Sequence, residues 1–179
     1  MTRLLGAGYS LRMELIVDPA GWLSYGDERV RCALGRAGVR DDKREGDGAT
    51  PVGTFALRGV RYRADRLDPP EGGLASHAIG PTDGWCDDPA CASYNQLVTL
   101  PHAGSHERLW RDDRLYDLVV VIGYNDAPAV SGRGSAIFLH VATPDFAPTE
   151  GCVAVAADAL VDIVARCEST ATIRINPSR

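Results

Sequence analysis

The chain has 179 residues, of which 45% are hydrophobic and 24% are charged, a composition typical of a globular protein and not of a disordered one. Its net charge is −5 and no basic run is present, which argues against general affinity for nucleic acid or for anionic membranes. The longest apolar run, 118–122, is too short to cross a bilayer, so no integral membrane segment is predicted.

Most of the chain is predicted to form short strands joined by Gly and Pro turns. Alternating or short apolar segments typical of strands occur, in chain order, at 12–17, 28–34, 54–62, 96–100, 118–124, 136–142 and 172–175. Gly59 marks a possible bulge in the third of them. Apolar residues at helical spacing predict one helix from Ala156 to Cys167, preceded by a short apolar strand.

These elements predict a mainly β fold with one packed C-terminal helix. Strands and helices do not alternate, so a doubly wound parallel sheet is not expected, and most strand pairs are predicted to be antiparallel. The length favours one domain over residues 1–179. The irregular segments 36–50 and 63–93 are long enough to be expected to carry function.

The segment 137–155, IFLHVATPDFAPTEGCVAV, contains candidate catalytic groups. His140 lies at the end of a predicted buried strand, and Cys152 follows Gly151 in a tight turn. An imidazole within hydrogen-bond reach of a thiol can take its proton, and backbone N–H groups at such a turn can hold an oxyanion. On spacing alone, a core histidine and a buried structural cysteine are the better interpretation.

A second constellation has the spacing Cys86-x4-Cys91-x10-His102-x3-His106, which resembles a set of zinc ligands. Two prolines and a glycine interrupt it, and no basic recognition helix follows. We therefore predict no metal ion, and we expect either a Cys86–Cys91 disulfide or two free thiols.

Several aromatic and polar residues are candidates for contacts with a substrate. Trp85, Tyr94 and Asn95 lie in a loop, where they could line a pocket or cap the core. Tyr124 and Asn125 end a predicted buried strand, and ordinary strand-end hydrogen bonding is the alternative for both.

Six segments together resemble the L,D-transpeptidase catalytic domain, also called the YkuD family. They are GDGATPVGTF, GWCDDP, YNQLV, YDLVVVIGYN, GRGSAIFLHVA and PTEGCVAV. The likeness extends over about residues 15–175 and is to the branch whose nucleophile motif reads Pro-Thr-x-Gly-Cys-Val-Ala. It implies a β-sandwich-like catalytic domain with its core at about 15–175.

The resemblance also implies a chemistry. The enzyme would be a cysteine peptidyltransferase that cleaves the diaminopimelate–D-alanine bond of peptidoglycan stem peptides and passes the acyl group to an amine or to water. Cys152 would be the nucleophile and His140 the base, with Gly151 contributing backbone to the site. Thr149 and Glu150 would lie beside the substrate, and no cofactor is expected.

The chain departs from the main branch of the family at the nucleophile motif. Glu150 precedes Gly151, and Ala154 stands where the main branch has an arginine two residues after the cysteine. Arg133, which lies between two glycines, is therefore our hypothesis for the group that pairs with the substrate carboxylate. A solvated loop arginine is the alternative.

Two further hypotheses and the cellular location stay open at this point. One hypothesis is another cysteine amidase or peptidase on the same scaffold, and the other is a non-catalytic module that binds zinc or the cell wall. The resemblance implies the periplasm or the cell envelope. The N-terminal residues 1–18 contain no usable signal peptide, which leaves a cytoplasmic location open.

Overall fold

The computed structural model of the chain describes residues 13–178. Its strands are β1 (Glu14–Asp18), β2 (Trp22–Tyr25), β3 (Glu28–Ala33), β4 (Val39–Arg40), β5 (Thr50–Pro51), β6 (Gly53–Tyr62), β7 (Ser76–Ala78), β8 (Asp83–Cys86), β9 (Leu97–Thr99), β10 (His106–Arg108), β11 (Leu118–Ile122), β12 (Phe138–Val141), β13 (Val153–Val155) and β14 (Thr172–Ile175). One helix, α1 (Ala157–Arg166), lies between β13 and β14.

The main sheet has nine strands in the order β11-β12-β13-β3-β2-β1-β14-β6-β7. β11 also pairs with β6, so the sheet closes on itself through the first eight strands of that order. The first and last strands of the described chain are neighbours in it, because β1 pairs in parallel with β14. Two small sheets, β10-β8-β9 and β4-β5, lie outside this sheet.

An aliphatic core is built from alternate residues of the closed sheet and from one face of the helix. Val120, Leu139 and Val153 are fully buried on three adjacent strands of it. The helix adds Leu160, Ile163 and Val164, which recur at i, i+3 and i+4 and so share one face. Each fully buried aliphatic side chain contributes about 1.5–3 kcal/mol to stability.

A second buried cluster lies on the opposite face of β12. It joins Phe138 to Ile79, Leu109, Tyr116, Val119, Ala136 and Cys152. The β10-β8-β9 sheet borders this cluster, since the Trp85 ring meets the Phe138 ring edge-on at 5.2 Å between centroids. The two faces of β12 therefore contact different environments, one aliphatic and one partly polar.

The structure confirms the mainly β class with one packed C-terminal helix. The helix spans Ala157–Arg166 within the predicted 156–167, and every predicted strand segment overlaps an observed strand. The bulge lies beside Gly59: Val121 pairs with Gly59 and Ile122 with Leu57, so the residue between those two partners is left unpaired. Residue 12, where the first predicted strand began, is outside the described residues, as is most of the segment used for the signal-peptide analysis.

Some features differ from the sequence prediction. β2 was not predicted, and the segment 63–93 contains β7 and β8 instead of being wholly irregular. Four strand pairs are parallel (β1–β14, β4–β5, β6–β7 and β12–β13), although most pairs are antiparallel as predicted. Within residues 13–178, no helix has both the length and the apolar character needed to span a membrane.

Candidate active site

Cys152 and His140 are brought together by two neighbouring parallel strands. His140 lies on β12, and Cys152 immediately precedes β13. In the register of this pair His140 stands opposite Ala154, two residues beyond Cys152. Because side chains alternate along strands, Cys152, Ala154, Phe138 and His140 share one face. That face borders a cavity of about 580 Å³, which both Cys152 and His140 line.

The thiol of Cys152 is held in place by the backbone. Its Sγ donates a hydrogen bond to the Ala136 carbonyl at 3.2 Å and accepts one from the Phe138 N–H at 3.3 Å. The residue is 8% exposed. Burial raises the pKa of the thiol, and the charge of Glu107 raises it further, while the Phe138 N–H and Lys43 act in the opposite direction. The resting group is therefore a neutral thiol with a fixed sulfur position.

His140 is fixed in one tautomer. Its Nδ1 lies 2.9 Å from the Val141 carbonyl, which can only accept a hydrogen bond, so Nδ1 carries the proton and Nε2 is the basic nitrogen. Burial lowers the pKa of His140 to about 4, and the positive charge of Arg111 lowers it as well. The imidazole is thus neutral at physiological pH. Within residues 13–178 it makes no direct hydrogen bond to the Cys152 thiol.

An acid–phenol pair lies beside the two candidate catalytic side chains. The Tyr116 ring meets the His140 ring edge-on at 5.2 Å, and its hydroxyl donates a hydrogen bond to Glu107. Burial raises the pKa of Glu107, although hydrogen bonding by Tyr116 and the charge of Arg111 counteract this rise. The Arg111 guanidinium lies 5.1 Å from the centre of the Tyr116 ring and bonds Asp113 at 2.6 Å. Glu107, Arg111 and Tyr116 all line the cavity.

The turn before Cys152 depends on close packing against a neighbouring loop. Gly151 has φ +141°, and a Cβ there would lie 2.8 Å from the Ala49 carbonyl oxygen. Its N–H donates to Thr149 Oγ1 at 3.2 Å, while the same hydroxyl donates to the Cys152 carbonyl at 2.6 Å. Thr50 Oγ1 contacts that carbonyl at 3.5 Å. The turn is therefore locked, and the amide of Gly151 is engaged inside it.

The loop after β4 supplies a buried cation and an acid to the cavity. Lys43 is 6% exposed, and its Nζ donates to Asp47 Oδ1 at 2.6 Å and to the Arg44 carbonyl at 2.7 Å. Glu45 Oε2 accepts hydrogen bonds from the Tyr94 hydroxyl and from Ser135 Oγ. Lys43 and Glu45 both line the cavity, which therefore presents charges of both signs near the thiol.

Of the residues predicted to contact a substrate, Thr149 and Glu150 line the cavity. Glu150 pairs with Arg36 at 2.9 Å, and both side chains are exposed. The other six predicted residues are not among those that line the cavity within the described part of the chain: they are Trp85, Tyr94, Asn95, Tyr124, Asn125 and Arg133. Four of these six form a supporting network one layer behind it.

Asn95 is the centre of that network. Its Oδ1 accepts hydrogen bonds from Trp85 Nε1 at 2.9 Å and from the Ala136 N–H at 3.0 Å, and its Nδ2 donates to the carbonyls of Tyr124 and Asn125. Since the Ala136 carbonyl also accepts the thiol hydrogen bond, a single residue links Asn95 to the Cys152 sulfur. Arg133 is exposed, and the contact described for it is its backbone carbonyl, which accepts from the Tyr124 hydroxyl.

Sequence reasoning missed most of the charged lining. Lys43 and Glu45 come from the loop after β4, Glu107 from β10 and Arg111 from the segment after it, all far from Cys152 along the chain, so no local spacing connected them with the motif. One signal was available: Tyr116 opens the segment YDLVVVIGYN, which was among those that carried the family resemblance.

A known protein family matches this chain. The family model of the L,D-transpeptidase catalytic domain, YkuD, matches residues 14–175. No curated protein sequence matched the chain. Among solved structures, the crystal structure of Mycobacterium tuberculosis L,D-transpeptidase 1 is similar over 92% of this chain and 59% of that one, with 11% sequence identity and a TM-score of 0.43. This chain thus spans less than two thirds of that structure.

The family match covers nearly the whole described chain, and it includes both strands that present Cys152 and His140. The resemblance read from the sequence segments is confirmed. The chain belongs to the L,D-transpeptidase catalytic domain family.

Proposed function

We propose that this protein is a cysteine peptidyltransferase that acts on peptidoglycan stem peptides. It cleaves the bond between diaminopimelate and the terminal D-alanine and transfers the acyl group to an amine or to water. The observation that carries the proposal is that one cavity of about 580 Å³ is lined by both Cys152, with its backbone-fixed thiol, and His140, with its basic Nε2. Membership of the L,D-transpeptidase family supports the choice of substrate class.

The reaction has two halves. In the first, Cys152 Sγ attacks the carbonyl carbon at the L-centre of diaminopimelate, and its proton passes to His140 Nε2. The C–N bond then breaks, the proton leaves with the amine of D-alanine, and a thioester remains on Cys152. In the second half an acceptor amine or water attacks the thioester, the C–S bond breaks, and a proton returns to the sulfur.

Proton transfer accompanies attack in this mechanism and is not complete beforehand. Burial raises the pKa of Cys152 and lowers that of His140, so a resting thiolate–imidazolium pair is disfavoured. His140 is offset by two residues from the position opposite Cys152 on the adjacent strand, so their Cα atoms are about 8 Å apart, and bound substrate has to draw the thiol and the imidazole together. Catalytic hydrogen bonds commonly tighten only when substrate is bound.

The oxyanion is stabilised by the amide of Cys152. The amide of Gly151 already donates to Thr149, whereas that of Cys152 has no hydrogen-bond acceptor among residues 13–178. The locked turn keeps this N–H next to its own sulfur, where the tetrahedral oxygen develops. One such donor contributes about 3–4 kcal/mol to catalysis.

Recognition of the substrate carboxylate is assigned to Arg111 instead of Arg133. The sequence favoured Arg133 because Ala154 replaces the arginine of the main branch. Arg133 is outside the cavity lining, whereas Arg111 lines it and lies above the Tyr116 ring near His140. The Nε and Nη2 of Arg111 already bond Asp113, so Nη1 is the group left to pair with the substrate carboxylate.

The biological setting follows from the substrate. Peptidoglycan places the working enzyme in the periplasm or cell envelope, with the stem peptide as its partner. We treat residues 1–179 as one catalytic domain whose core spans about 15–175. The chemistry needs only the side chains and amides described above, without a cofactor.

Release of D-alanine from a purified stem tetrapeptide tests the proposal. We expect turnover by the full chain, none by Cys152→Ala, and inhibition by a carbapenem that acylates the same thiol. Cys32→Ala is the matched control, since Cys32 is a free thiol in the aliphatic core, is not among the residues that line the cavity, and should leave turnover nearly unchanged. Turnover of small amides without any reaction on stem peptides would instead identify another cysteine amidase on this scaffold.

A further inference from the structure

Cys86, Cys91 and His102 converge on one point outside the active-site cavity. Their two Sγ atoms and one imidazole nitrogen all lie within 4.8 Å of one another. Cys91 Sγ and His102 Nε2 are 3.4 Å apart. Two ligands of a tetrahedral zinc ion, bound at about 2.3 Å for sulfur and 2.0–2.1 Å for nitrogen, are separated by about 3.5–3.8 Å. The three atoms therefore need to move little to share one ion.

The burial and chemistry of the three residues also suit a metal site. Cys86 is buried at the end of β8, whereas Cys91 and His102 are half-exposed, so the point where they converge is closed on one side and open on the other. Both cysteines are free thiols. Two thiolates and a neutral imidazole form a donor set suited to zinc and not to magnesium or calcium.

Room for a fourth ligand exists beside His102. Gly104 has no side chain there, and a Cβ built on it would lie 2.9 Å from Asp88 Oδ2 and 3.3 Å from His102 Nε2. His106, the fourth residue of the spacing pattern, is not one of the three converging ligands. Its Nδ1 donates to the Gly104 carbonyl, and its side chain lines the active-site cavity. Asp88 is not one of the residues whose ligand atoms lie within 4.8 Å of one another, so we assign the fourth position to a water molecule.

We propose that Cys86, Cys91 and His102 bind one zinc ion, and that this ion is structural. Binding deprotonates both thiols and releases two protons, which leaves a neutral site before the fourth ligand is counted. The sequence analysis predicted no metal, chiefly because prolines and a glycine interrupt the ligand spacing. The structure brings three of the four residues of that pattern together in spite of those interruptions.

The ion would hold the loop that supports the active site. The Asn95 N–H donates to the Cys86 carbonyl, and the Cys86 N–H donates to the Gln96 carbonyl, so the loop folds back onto the metal ligand. Asn95 in turn binds the Ala136 N–H, and Ala136 accepts the hydrogen bond of the Cys152 thiol. Zinc at this point therefore stabilises the layer behind the sulfur without touching the substrate.

Metal analysis of the full chain tests this site. Protein purified under reducing conditions and incubated with ZnCl₂, then desalted, is expected to retain about one zinc per chain. Cys91→Ser and His102→Gln should each lower this content at least about fivefold, because a ligand is lost from a site with few ligands. CoCl₂ in place of zinc should give a thiolate-to-cobalt charge-transfer band that Cys91→Ser removes.

Matched variants and a stability measurement distinguish a site from incidental binding. Cys32→Ala and His77→Gln change a buried thiol and an exposed imidazole elsewhere and should leave the zinc content unchanged. A chelator should lower the thermal midpoint of the wild type but not that of Cys91→Ser, with circular dichroism confirming that both are folded. Failure to retain zinc after reduction, or equal zinc in Cys91→Ser and wild type, would overturn the proposal. These readouts do not depend on turnover of stem peptides.

Discussion

The two faces of β12 show how one strand can serve both stability and chemistry. On one face Leu139 and Val141 pack into the aliphatic core together with the helix. On the other face Phe138 packs in the second buried cluster, and His140 lines a cavity that is also lined by charged side chains. All four residues are buried, so burial alone does not distinguish them.

The same contrast separates two buried cysteines. Cys32 packs in the aliphatic core, where burial raises its pKa to about 12. Cys152 also has a raised pKa, but its sulfur has two backbone hydrogen-bond partners, and His140 lines the same cavity. In the proposed mechanism, access to the cavity and a neighbouring proton acceptor distinguish the two cysteines, and the pKa of the resting thiol does not.

Exchanging the two cysteines for alanine should give the largest contrast. Cys152→Ala is expected to lower turnover of a stem tetrapeptide by about 10⁴-fold or more, since no nucleophile remains. Cys32→Ala should keep activity within about threefold and cost about 1–2 kcal/mol of unfolding free energy through a small cavity. Steady-state kinetics and urea denaturation measure the two effects. Equal losses of activity in both variants would mean that Cys152 is only structural.

Replacing the base should have the next largest effect. His140→Gln is expected to lower kcat by about 10²–10⁴-fold, because the thiol loses its proton acceptor. The free enzyme should also show no thiolate absorbance near neutral pH, since the resting sulfur is protonated. A kcat within a few-fold of the wild type would rule out His140 as the base.

Adding a side chain to the turn before the thiol should disturb both folding and activity. In Gly151→Ala the new Cβ would stand 2.8 Å from the Ala49 carbonyl in a backbone conformation with φ +141°. We expect a loss of about 2–4 kcal/mol in unfolding free energy. Gly132→Ala is the control, because Gly132 has φ +76° but open space around it, and it should cost only about 1 kcal/mol. Similar losses in the two variants would show that packing against Ala49 is unimportant.

Stability should depend on pH through His140. Its pKa is lowered from 6.5 to about 4 in the folded state, so between these values the unfolded chain binds more protons than the folded one. The contribution of His140 to the unfolding free energy is therefore fully present above pH 6.5. It is lost as the pH decreases toward 4, which lowers the unfolding free energy by on the order of 3 kcal/mol. Urea titrations of wild type and His140→Gln at several pH values isolate the contribution, which the variant should lack.

The smallest expected effect distinguishes the two arginines. Arg111→Ala should raise KM for a stem tetrapeptide about 10–100-fold, since a charged hydrogen-bond pair to the substrate carboxylate is lost. Arg133→Ala should change KM by no more than about twofold, because its side chain is exposed outside the cavity lining. The opposite ranking would return the carboxylate contact to Arg133.

Features that depend on residues near one another in the sequence could be predicted from it. Contacts that form only when the sheet closes could not. The helix and most strands follow from periodicity, and the motif around Cys152 pointed to His140 on the preceding strand. The parallel pairing of β1 with β14 joins opposite ends of the chain, which no local pattern shows. The same holds for Glu107 and Arg111, because only folding of the β10 region over β12 brings them to the thiol.

Intact-protein mass measured after mixing with a stem tetrapeptide tests the central claim most directly. The account predicts a covalent adduct with the mass of the tripeptide acyl group on Cys152, with loss of one D-alanine, and no adduct on the Cys152→Ala protein. An unmodified chain under conditions of full exposure to substrate, or an adduct that survives in Cys152→Ala, would contradict it.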